Sequence, residues 1–218
     1  MHTLPMSKRF ILFDHDGVLV ETEPWYYEAT RLAVASLGVE LDLTSYLQDM
    51  ATGGTAWEQA RSKGASDADV VRQRDYRNQL YQEFLRTRNI EIQHVGETLD
   101  SLSRNYQMAI VTTARKPDFV LIHEDRDIVR HMDFVLANGD YARAKPAPDP
   151  YLTALERFGA DKGAAIVVED SERGLRAAVA AGIDCVVVAN SFTKGQDLSA
   201  ATWHIDALTE LPALLTSL

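Results

Sequence analysis

The sequence predicts an α/β fold, a doubly wound parallel sheet whose first strand is followed by an inserted helical domain. Three observations lead to this fold class: five short apolar runs along the chain, helical segments between the later runs, and a long interval without any such run after the first. The chain has 218 residues, of which 46% are hydrophobic and 25% are charged. This composition is typical of a globular protein with a full core.

The apolar runs are continuous rather than alternating, and each is too short for a helix. They are FILF (10–13), MAIV (108–111), FVLA (134–137), AAIVV (164–168) and CVVVA (185–189). Such runs, rich in valine and isoleucine, are typical of strands buried on both faces of a parallel sheet. The segments between the later runs have helical spacing and end at Gly159 and Gly182, which favours right-handed strand–helix–strand units.

The interval between the first two runs contains helical patterns only. One amphipathic segment, EPWYYEATRLAVASLG, ends at Gly38, and a longer one begins at Ser66, where Asp69 completes a pattern close to a capping box. A helical insertion joined to the core by two crossings is the simplest organisation. We therefore predict a Rossmann-like core of residues 1–20 and 95–218 and a helical cap domain of residues 21–94.

Charge and cysteine content exclude several classes of function. The formal net charge of -10 argues against binding to nucleic acid or to an anionic membrane surface, because both require an excess of Lys and Arg. No apolar stretch is long enough to span a bilayer, and the first ten residues lack the apolar region of a signal peptide. The single cysteine, Cys185, lies in an apolar run and allows no internal disulfide. We expect a cytoplasmic protein, monomeric or weakly dimeric, without nucleic-acid or membrane partners.

Polar side chains follow four of the predicted strands, at the edge where an open parallel sheet binds its ligands. These candidate site residues are Asp14, Asp16, Thr112, Thr113, Lys145, Glu169 and Asp170. Singly, each has an ordinary interpretation, such as a turn at Asp16, a helix N-cap at Asp170 or a solvated charge at Lys145. Together they do not, because clustered acids repel one another and are costly to desolvate without a cation. Mg²⁺ suits carboxylate ligands combined with a substrate phosphate.

The residue types also indicate a reaction. One carboxylate can attack phosphorus, and a second can protonate the leaving oxygen and later deprotonate water. In an extended chain, side chains two residues apart point the same way, which suits Asp14 and Asp16 to these two tasks. A lysine and a hydroxyl can hold the phosphoryl oxygens. Covalent phosphoryl transfer is therefore the predicted chemistry.

Four segments resemble, in order and spacing, the motifs of the haloacid dehalogenase superfamily, in the subgroup related to β-phosphoglucomutase and small sugar-phosphate phosphatases. They are DHDGVLVETEP, VTT, KPAPDPYLTAL and VVEDSERGLRAAVAAG, and the resemblance covers about residues 8–20 and 95–218. It implies that Asp14 is the nucleophile and Asp16 the general acid and base. It also implies that Thr112 and Lys145 hold the phosphoryl group, with Thr113 beside them.

The resemblance further implies an Mg²⁺ site. Its ligands would be Asp14, the main-chain carbonyl of Asp16, and Asp170, with Glu169 binding directly or through water. Relatives that act as dehalogenases or phosphonate hydrolases lack an aspartate at the position of Asp16, so its presence favours phosphate esters. His15 occupies a position that is commonly apolar in this family, where it either tunes the local electrostatics or only packs.

Phosphatase and phosphomutase are harder to separate. The related mutases carry a histidine near the position of Tyr26 and an arginine beside the glycine of the cap's specificity loop. Here that loop is MATGGTAWEQ, with Gly53, Gly54 and Thr55 but no arginine until Arg61. A mutase must hold a second phosphate, so the absence of a cation in this loop favours a hydrolase.

Substrate contacts in the cap are the weakest part of the prediction. Tyr26, Gly53, Gly54 and Thr55 are the candidates, although the aromatic residues around Tyr26 could equally fill the cap's own core. We therefore expect an Mg²⁺-dependent phosphatase acting on a small phosphorylated metabolite, foremost a sugar phosphate. An intramolecular phosphotransferase of the β-phosphoglucomutase type and a non-catalytic metabolite-binding protein are the alternatives.

Overall fold

A computed structural model of the chain describes residues 8–52, 54–188 and 190–218. The chain forms two compact units. One consists of the residues up to Glu21 together with Glu91–Leu218, and the other is Thr22–Ile90. The segment 91–94, expected in the helical insertion, belongs to the first unit, where Glu91 pairs with Val20 in an isolated bridge.

The first unit contains a six-stranded parallel sheet, which confirms the predicted fold class. The strands are β1 (Phe10–Phe13), β2 (Gln107–Val111), β3 (Phe134–Leu136), β4 (Ala165–Glu169), β5 (Asp184–Val188) and β6 (Trp203–Ile205), in the order β3-β2-β1-β4-β5-β6. The sequence predicted the first five but not β6. This short strand pairs with β5 alone, and its central residue His204 is exposed, so it has no continuous apolar run.

In the first unit, a helix lies between each pair of successive strands from β2 to β5. In the second unit, the described elements are helices alone. The helices of the two units are α1 (Glu23–Ala35), α2 (Leu43–Thr52), α3 (Ala56–Ser62), α4 (Asp67–Thr87), α5 (Val95–Leu102), α6 (Lys116–Ile122), α7 (Asp149–Phe158), α8 (Glu172–Ala181) and α9 (Leu211–Thr216). Short 3₁₀ turns lie at Val129–His131, Lys162–Ala164 and Leu208–Glu210. Within the described part of the chain, no helix combines the length and apolar composition needed to cross a membrane.

Helices cover both faces of the sheet. Leu12 of β1 and Val167 of β4 face a cluster built with α7 and α8, whereas Ile11 and Phe13 face the cluster built with α5 and α9. Successive strand residues point to opposite faces, which explains why the strands are apolar at every position. Burial of each such side chain contributes about 1.5–3 kcal/mol, so the central strands form a stiff base for the residues at their ends.

The second unit has its own apolar core. Val34 of α1, Trp57 and Ala60 of α3, and Val70 of α4 are buried in one cluster. Helix α4 begins with the capping box predicted at Ser66, whose hydroxyl accepts a hydrogen bond from the N–H of Asp69 at 3.2 Å. Side-chain caps of this kind stabilise a helix by about 1 kcal/mol.

Candidate active site

The carboxyl ends of β1 and β4 meet at one buried lysine. The ammonium of Lys145 donates to Oδ1 of Asp14 at 2.5 Å and to Oε1 of Glu169 at 2.7 Å. Lys145 is only 6% exposed, so both ion pairs are shielded from water. Carboxylate oxygens of Asp14, Glu169 and Asp170 lie within 4.8 Å of one another. The sheet topology thus brings together residues that are far apart in the sequence.

Glu169 is held by hydrogen bonds on both of its carboxylate oxygens. Oε1 also accepts from the hydroxyl of Tyr151 on α7 at 2.6 Å. Oε2 accepts from the N–H of Asp170 at 3.2 Å, and from the N–H and hydroxyl of Ser171 at 3.4 and 3.2 Å. A side chain at position 174 would overlap this carboxylate, so only glycine allows the first turn of α8 to cover it. Glu169 is therefore a fixed, fully buried acceptor.

The pKa values reveal that this cluster lacks positive charge. Burial and the neighbouring carboxylate of Glu169 raise the pKa of Asp14 to about 7, although Lys145 opposes the rise. Burial lowers the pKa of Lys145, but its ion pairs with Asp14 and Glu169 outweigh burial and raise that pKa above its ordinary value. Burial also raises the pKa of Glu169, yet the ammonium of Lys145 and the hydroxyl of Tyr151 hold it below its usual range.

This donor set fits a divalent cation of the Mg²⁺ type. Three carboxylates face a single ammonium, all of their ligating atoms are oxygens, and a second cation would favour ionised Asp14.

Asp16 comes two residues after Asp14, in the turn that follows β1. The hydroxyl of Thr112, at the end of β2, donates to Oδ2 of Asp16 at 3.5 Å and accepts the N–H of Ala114 at 3.0 Å. Asp16 is close enough to raise the pKa of Asp14. The structure therefore brings Asp16 and Thr112 to the same edge as Asp14, through contacts longer than those of Lys145.

Thr113 lies one residue further along and is partly exposed. Its hydroxyl accepts from the guanidinium of Arg173 at 3.4 Å. The neighbouring carbonyl of Thr112 accepts a hydrogen bond from the hydroxyl of Tyr141 at 2.7 Å. The sequence indicated neither Arg173 nor Tyr141, because each is a single polar residue in a charged segment.

His15 is fully buried and makes polar contacts as well as packing contacts. Its Nε2 shares a hydrogen bond with Nε2 of His123 at 2.9 Å, and its Nδ1 lies 3.4 Å from Oδ2 of Asp16. The ring also packs against Phe119, with 5.0 Å between the ring centroids. Burial and the adjacent His15 lower the pKa of His123 to about 3. His123, the partner of His15, is therefore uncharged at neutral pH.

The sequence did not indicate two further residues at this edge, Tyr151 and Asn190. Asn190 follows the rule that polar residues directly after the strands form the site. Tyr151 lies inside the KPAPDPY segment after Lys145 but reads as an ordinary core residue of α7. Asn190 comes after β5, and its amide donates to Oδ2 of Asp170 at 2.8 Å. Asn190 directly follows the apolar run CVVVA, so the same rule applied to the fifth predicted strand indicates it.

The candidate residues of the helical unit have roles within that unit. The hydroxyl of Thr55 caps α3 by accepting the N–H of Glu58 at 3.3 Å. Gly54 precedes it, and a side chain there would meet Asp49. The ring of Tyr26 packs edge-on against Tyr81. Gly53 lies outside the described residues.

The helical unit also buries a cation that the sequence did not indicate. Arg77 of α4 is 9% exposed, and its guanidinium lies 4.3 Å from the ring centroid of Tyr26. It donates to Asn78 at 3.0 Å and to the hydroxyl of Thr30 at 3.5 Å. Among the described residues, no carboxylate forms an ion pair with it. A buried guanidinium held by neutral partners alone is unusual.

Comparison with known proteins agrees with this geometry. The sequence model of a family described as haloacid dehalogenase-like hydrolase matches residues 11–188. The chain is 29% identical to Protein CbbY of Rhodobacter capsulatus, over 94% of this chain and 95% of that protein. It is 27% identical to the phosphorylated carbohydrates phosphatase of Thermotoga maritima, over 86% of this chain and 88% of that protein.

The fold has close structural counterparts. The crystal structure of CbbY from Rhodobacter sphaeroides in complex with phosphate superposes with a TM-score of 0.78, covering 94% of this chain and 96% of that chain. The two sequences are 24% identical, so this likeness is evidence for the fold alone.

Proposed function

The chain belongs to the haloacid dehalogenase-like hydrolase family, and we propose that it is an Mg²⁺-dependent phosphatase of a small phosphorylated metabolite, foremost a sugar phosphate. The observation that supports this most is the buried ammonium of Lys145 between Asp14 and Glu169, beside Asp170. An anionic substrate needs a local cation on a chain whose formal net charge is -10. The printed name of the Thermotoga maritima relative supports the choice of a carbohydrate phosphate.

In this proposal Asp14 is the nucleophile. Its carboxylate attacks phosphorus, forming an Asp14 O–P bond while the bond from phosphorus to the ester oxygen breaks. Lys145 keeps Oδ1 of Asp14 in place and offers positive charge where the phosphoryl oxygens would lie. Thr112 and Thr113 add hydroxyl groups at the end of β2.

Asp16 acts as general acid and then as general base. It gives its proton to the departing ester oxygen, which leaves as the alcohol of the sugar. The carboxylate then takes a proton from a water molecule that attacks phosphorus, so that inorganic phosphate is released and Asp14 is regenerated. The hydroxyl of Thr112 orients Asp16 during both steps.

Asp14, Asp170 and the main-chain carbonyl of Asp16 would hold Mg²⁺. When bound, the ion supplies positive charge that offsets the negative charge of the phosphoryl oxygens and the carboxylates. Both oxygens of Glu169 already accept hydrogen bonds from the protein, which favours its acting through water rather than as a direct ligand.

We also propose that the chain works in the cytoplasm as a monomer or weak dimer. Sedimentation of the purified protein would test the oligomeric state.

Phosphate release from p-nitrophenyl phosphate and from a panel of sugar phosphates, with and without Mg²⁺, tests the proposal. We expect Mg²⁺-dependent turnover that Asp14→Asn lowers by at least about 10³-fold. Asp161→Asn, which changes an exposed aspartate outside the site, is the matched control and should retain activity. Turnover that persists in Asp14→Asn would contradict the assigned nucleophile. Tight metabolite binding by calorimetry without turnover across the panel would instead support a non-catalytic binding protein.

An intramolecular phosphotransferase of the β-phosphoglucomutase type is the second candidate. The lack of a cation in the cap loop disfavours it, and Arg77 does not replace that cation, because its guanidinium is buried against Tyr26 within the helical unit. Incubation with β-glucose 1-phosphate and a bisphosphate primer separates the two. Glucose 6-phosphate without free phosphate would support the phosphotransferase, whereas release of inorganic phosphate would support the phosphatase.

A further inference from the structure

We propose that Asn190, in the loop after β5, is a positioning residue that fixes the carboxylate of Asp170 for cation binding. The inference rests on the proposed role of Asp170 as an Mg²⁺ ligand, and it adds a residue outside the motifs that predicted the site. The side chain of Asn190 bonds both its own loop and the carboxylate of Asp170. Of the side chains in the described loop 190–197, that of Asn190 donates a hydrogen bond to Asp170.

The orientation of the Asn190 amide follows from its surroundings. Its Oδ1 accepts hydrogen bonds from the N–H of Phe192 at 2.9 Å and from the N–H of Thr193 at 3.2 Å. An amide nitrogen could not occupy that place, because it would face two donors. Nδ2 must therefore point away from the loop, where it donates to Oδ2 of Asp170 at 2.8 Å and to the carbonyl of Gly17 at 3.5 Å.

The loop that carries Asn190 is itself anchored. The N–H of Asn190 donates to the hydroxyl of Thr193 at 3.1 Å, and Thr193 is buried. Further along, Oε1 of Gln196 accepts the N–H of Glu172 at 2.8 Å. Glu172 is the first residue of α8, the helix that follows Asp170. The loop is thus tied to the segment that it positions, and the amide cannot drift away from Asp170.

The turn after β1 is shaped to admit this contact. Gly17 has a φ of +82°, and a side chain there would overlap both the carboxylate of Asp170 and the amide of Asn190. Glycine therefore meets two requirements, a left-handed backbone and a close approach. Three segments converge on Oδ2 of Asp170: the turn after β1, the end of β4 and the loop after β5.

A hydrogen bond to one carboxylate oxygen restricts rotation of the group about its Cβ–Cγ bond. Without the amide, Oδ2 of Asp170 loses one of the bonds that hold it, and more of its orientation must be fixed when the cation binds. Groups that orient metal ligands in this way typically change metal affinity or activity by 10–100-fold when removed. We expect a loss of about 10-fold, because one hydrogen bond from a neutral amide is removed.

Direct measurement of cation binding tests the inference without relying on turnover. Mn²⁺ prefers the same oxygen ligands as Mg²⁺, and its unbound fraction can be read by electron paramagnetic resonance. Asn190→Ala should bind Mn²⁺ about 10-fold more weakly than the wild type. Asn190→Ser should lose about as much, because a serine hydroxyl can still cap the loop but is too short to reach Asp170.

The matched control is Thr193→Val. It removes a hydrogen bond from the same loop but leaves the amide of Asn190 in contact with Asp170. We expect Mn²⁺ affinity within about twofold of the wild type and a melting temperature at least as low as that of Asn190→Ser. An equal loss of affinity in Thr193→Val would overturn the inference, because general loosening of the loop would then explain the effect.

A double-mutant cycle with Asp170→Asn separates the inference from the function on which it rests. If Asp170→Asn binds Mn²⁺ as tightly as the wild type, the proposed metal site is wrong. If Asp170→Asn weakens binding but Asn190→Ala does not, only the role of Asn190 is wrong. If Asn190 acts through Asp170, adding Asn190→Ala to Asp170→Asn should cause no further loss.

Discussion

The two sides of the nucleophile differ in how firmly their residues are held. On one side, Lys145 and Glu169 are deeply buried and joined to each other and to Asp14 by contacts of 2.5–2.7 Å. On the other side, the side chain of Asp16 is 25% exposed, and it lies 3.5 Å from the hydroxyl of Thr112 and 3.4 Å from the ring of His15. A group that supplies fixed charge benefits from short, shielded contacts, whereas a group that must lose and regain a proton benefits from partial exposure. The difference indicates which residues are electrostatic and which take part in proton transfer.

Removal of the ammonium of Lys145 should have the largest combined effect on stability and activity. Lys145→Met leaves Asp14 and Glu169 buried without their shared cation, so we expect about 3–5 kcal/mol less stability by urea unfolding. Phosphatase activity should fall by about 10²–10³-fold. Lys116→Met, at an exposed pair with Asp140, is the control and should cost no more than about 1 kcal/mol. Equal losses of unfolding free energy in Lys145→Met and Lys116→Met would contradict the claim that the buried side of the site is held more firmly than the rest.

Asp16→Asn should affect activity without a comparable effect on stability. We expect turnover of sugar phosphates to fall by about 10²-fold or more, since the leaving alkoxide needs a proton. The free energy of unfolding should change by no more than about 1 kcal/mol, because the side chain of Asp16 is 25% exposed and asparagine keeps its shape. The leaving group of p-nitrophenyl phosphate needs no proton, so the first step should stay fast in the variant while the hydrolysis step is slow. The variant should therefore release a burst of p-nitrophenolate. A loss that is equal for both substrates, without a burst, would contradict the role of Asp16.

Tyr151→Phe sharpens the description of the tightly held side. The variant removes the 2.6 Å hydrogen bond to Oε1 of Glu169 but keeps the ring over which Lys145 lies. A buried carboxylate that loses one donor should cost about 1–3 kcal/mol of stability and lower activity several-fold. Urea unfolding and steady-state kinetics measure the two effects. Unchanged stability would mean that Glu169 is less dependent on its hydrogen bonds than its geometry indicates.

The sequence predicted the site best where topology alone decides proximity. Asp14, Lys145 and Asp170 lie far apart in the chain, yet strand ends in a parallel sheet must meet, so their convergence could be inferred. The partners that fix them could not be inferred, because Tyr151 looks like a core residue. Arg77 shows the same limit in the helical unit, since a guanidinium in a polar-faced helix reads as solvated until its burial is known.

The loosely held side also predicts a dependence of stability on pH, with little effect on activity at neutral pH. The folded protein lowers the pKa of His123 to about 3, whereas the unfolded chain takes up a proton near the ordinary histidine pKa of 6.5. Between these values the unfolded state binds more protons, so stability should fall as the pH drops from about 6.5 towards 3, by at most about 1.4 kcal/mol per pH unit. His123→Gln keeps a polar partner for His15 but cannot titrate, so its unfolding free energy should change less between pH 7 and pH 5 in urea titrations. Val120→Gln, at an exposed position on α6, the helix that ends just before His123, should keep the wild-type slope. If His123→Gln kept that slope as well, another group would be responsible for the pH dependence, and the assignment of a neutral His123 in the folded protein would be wrong.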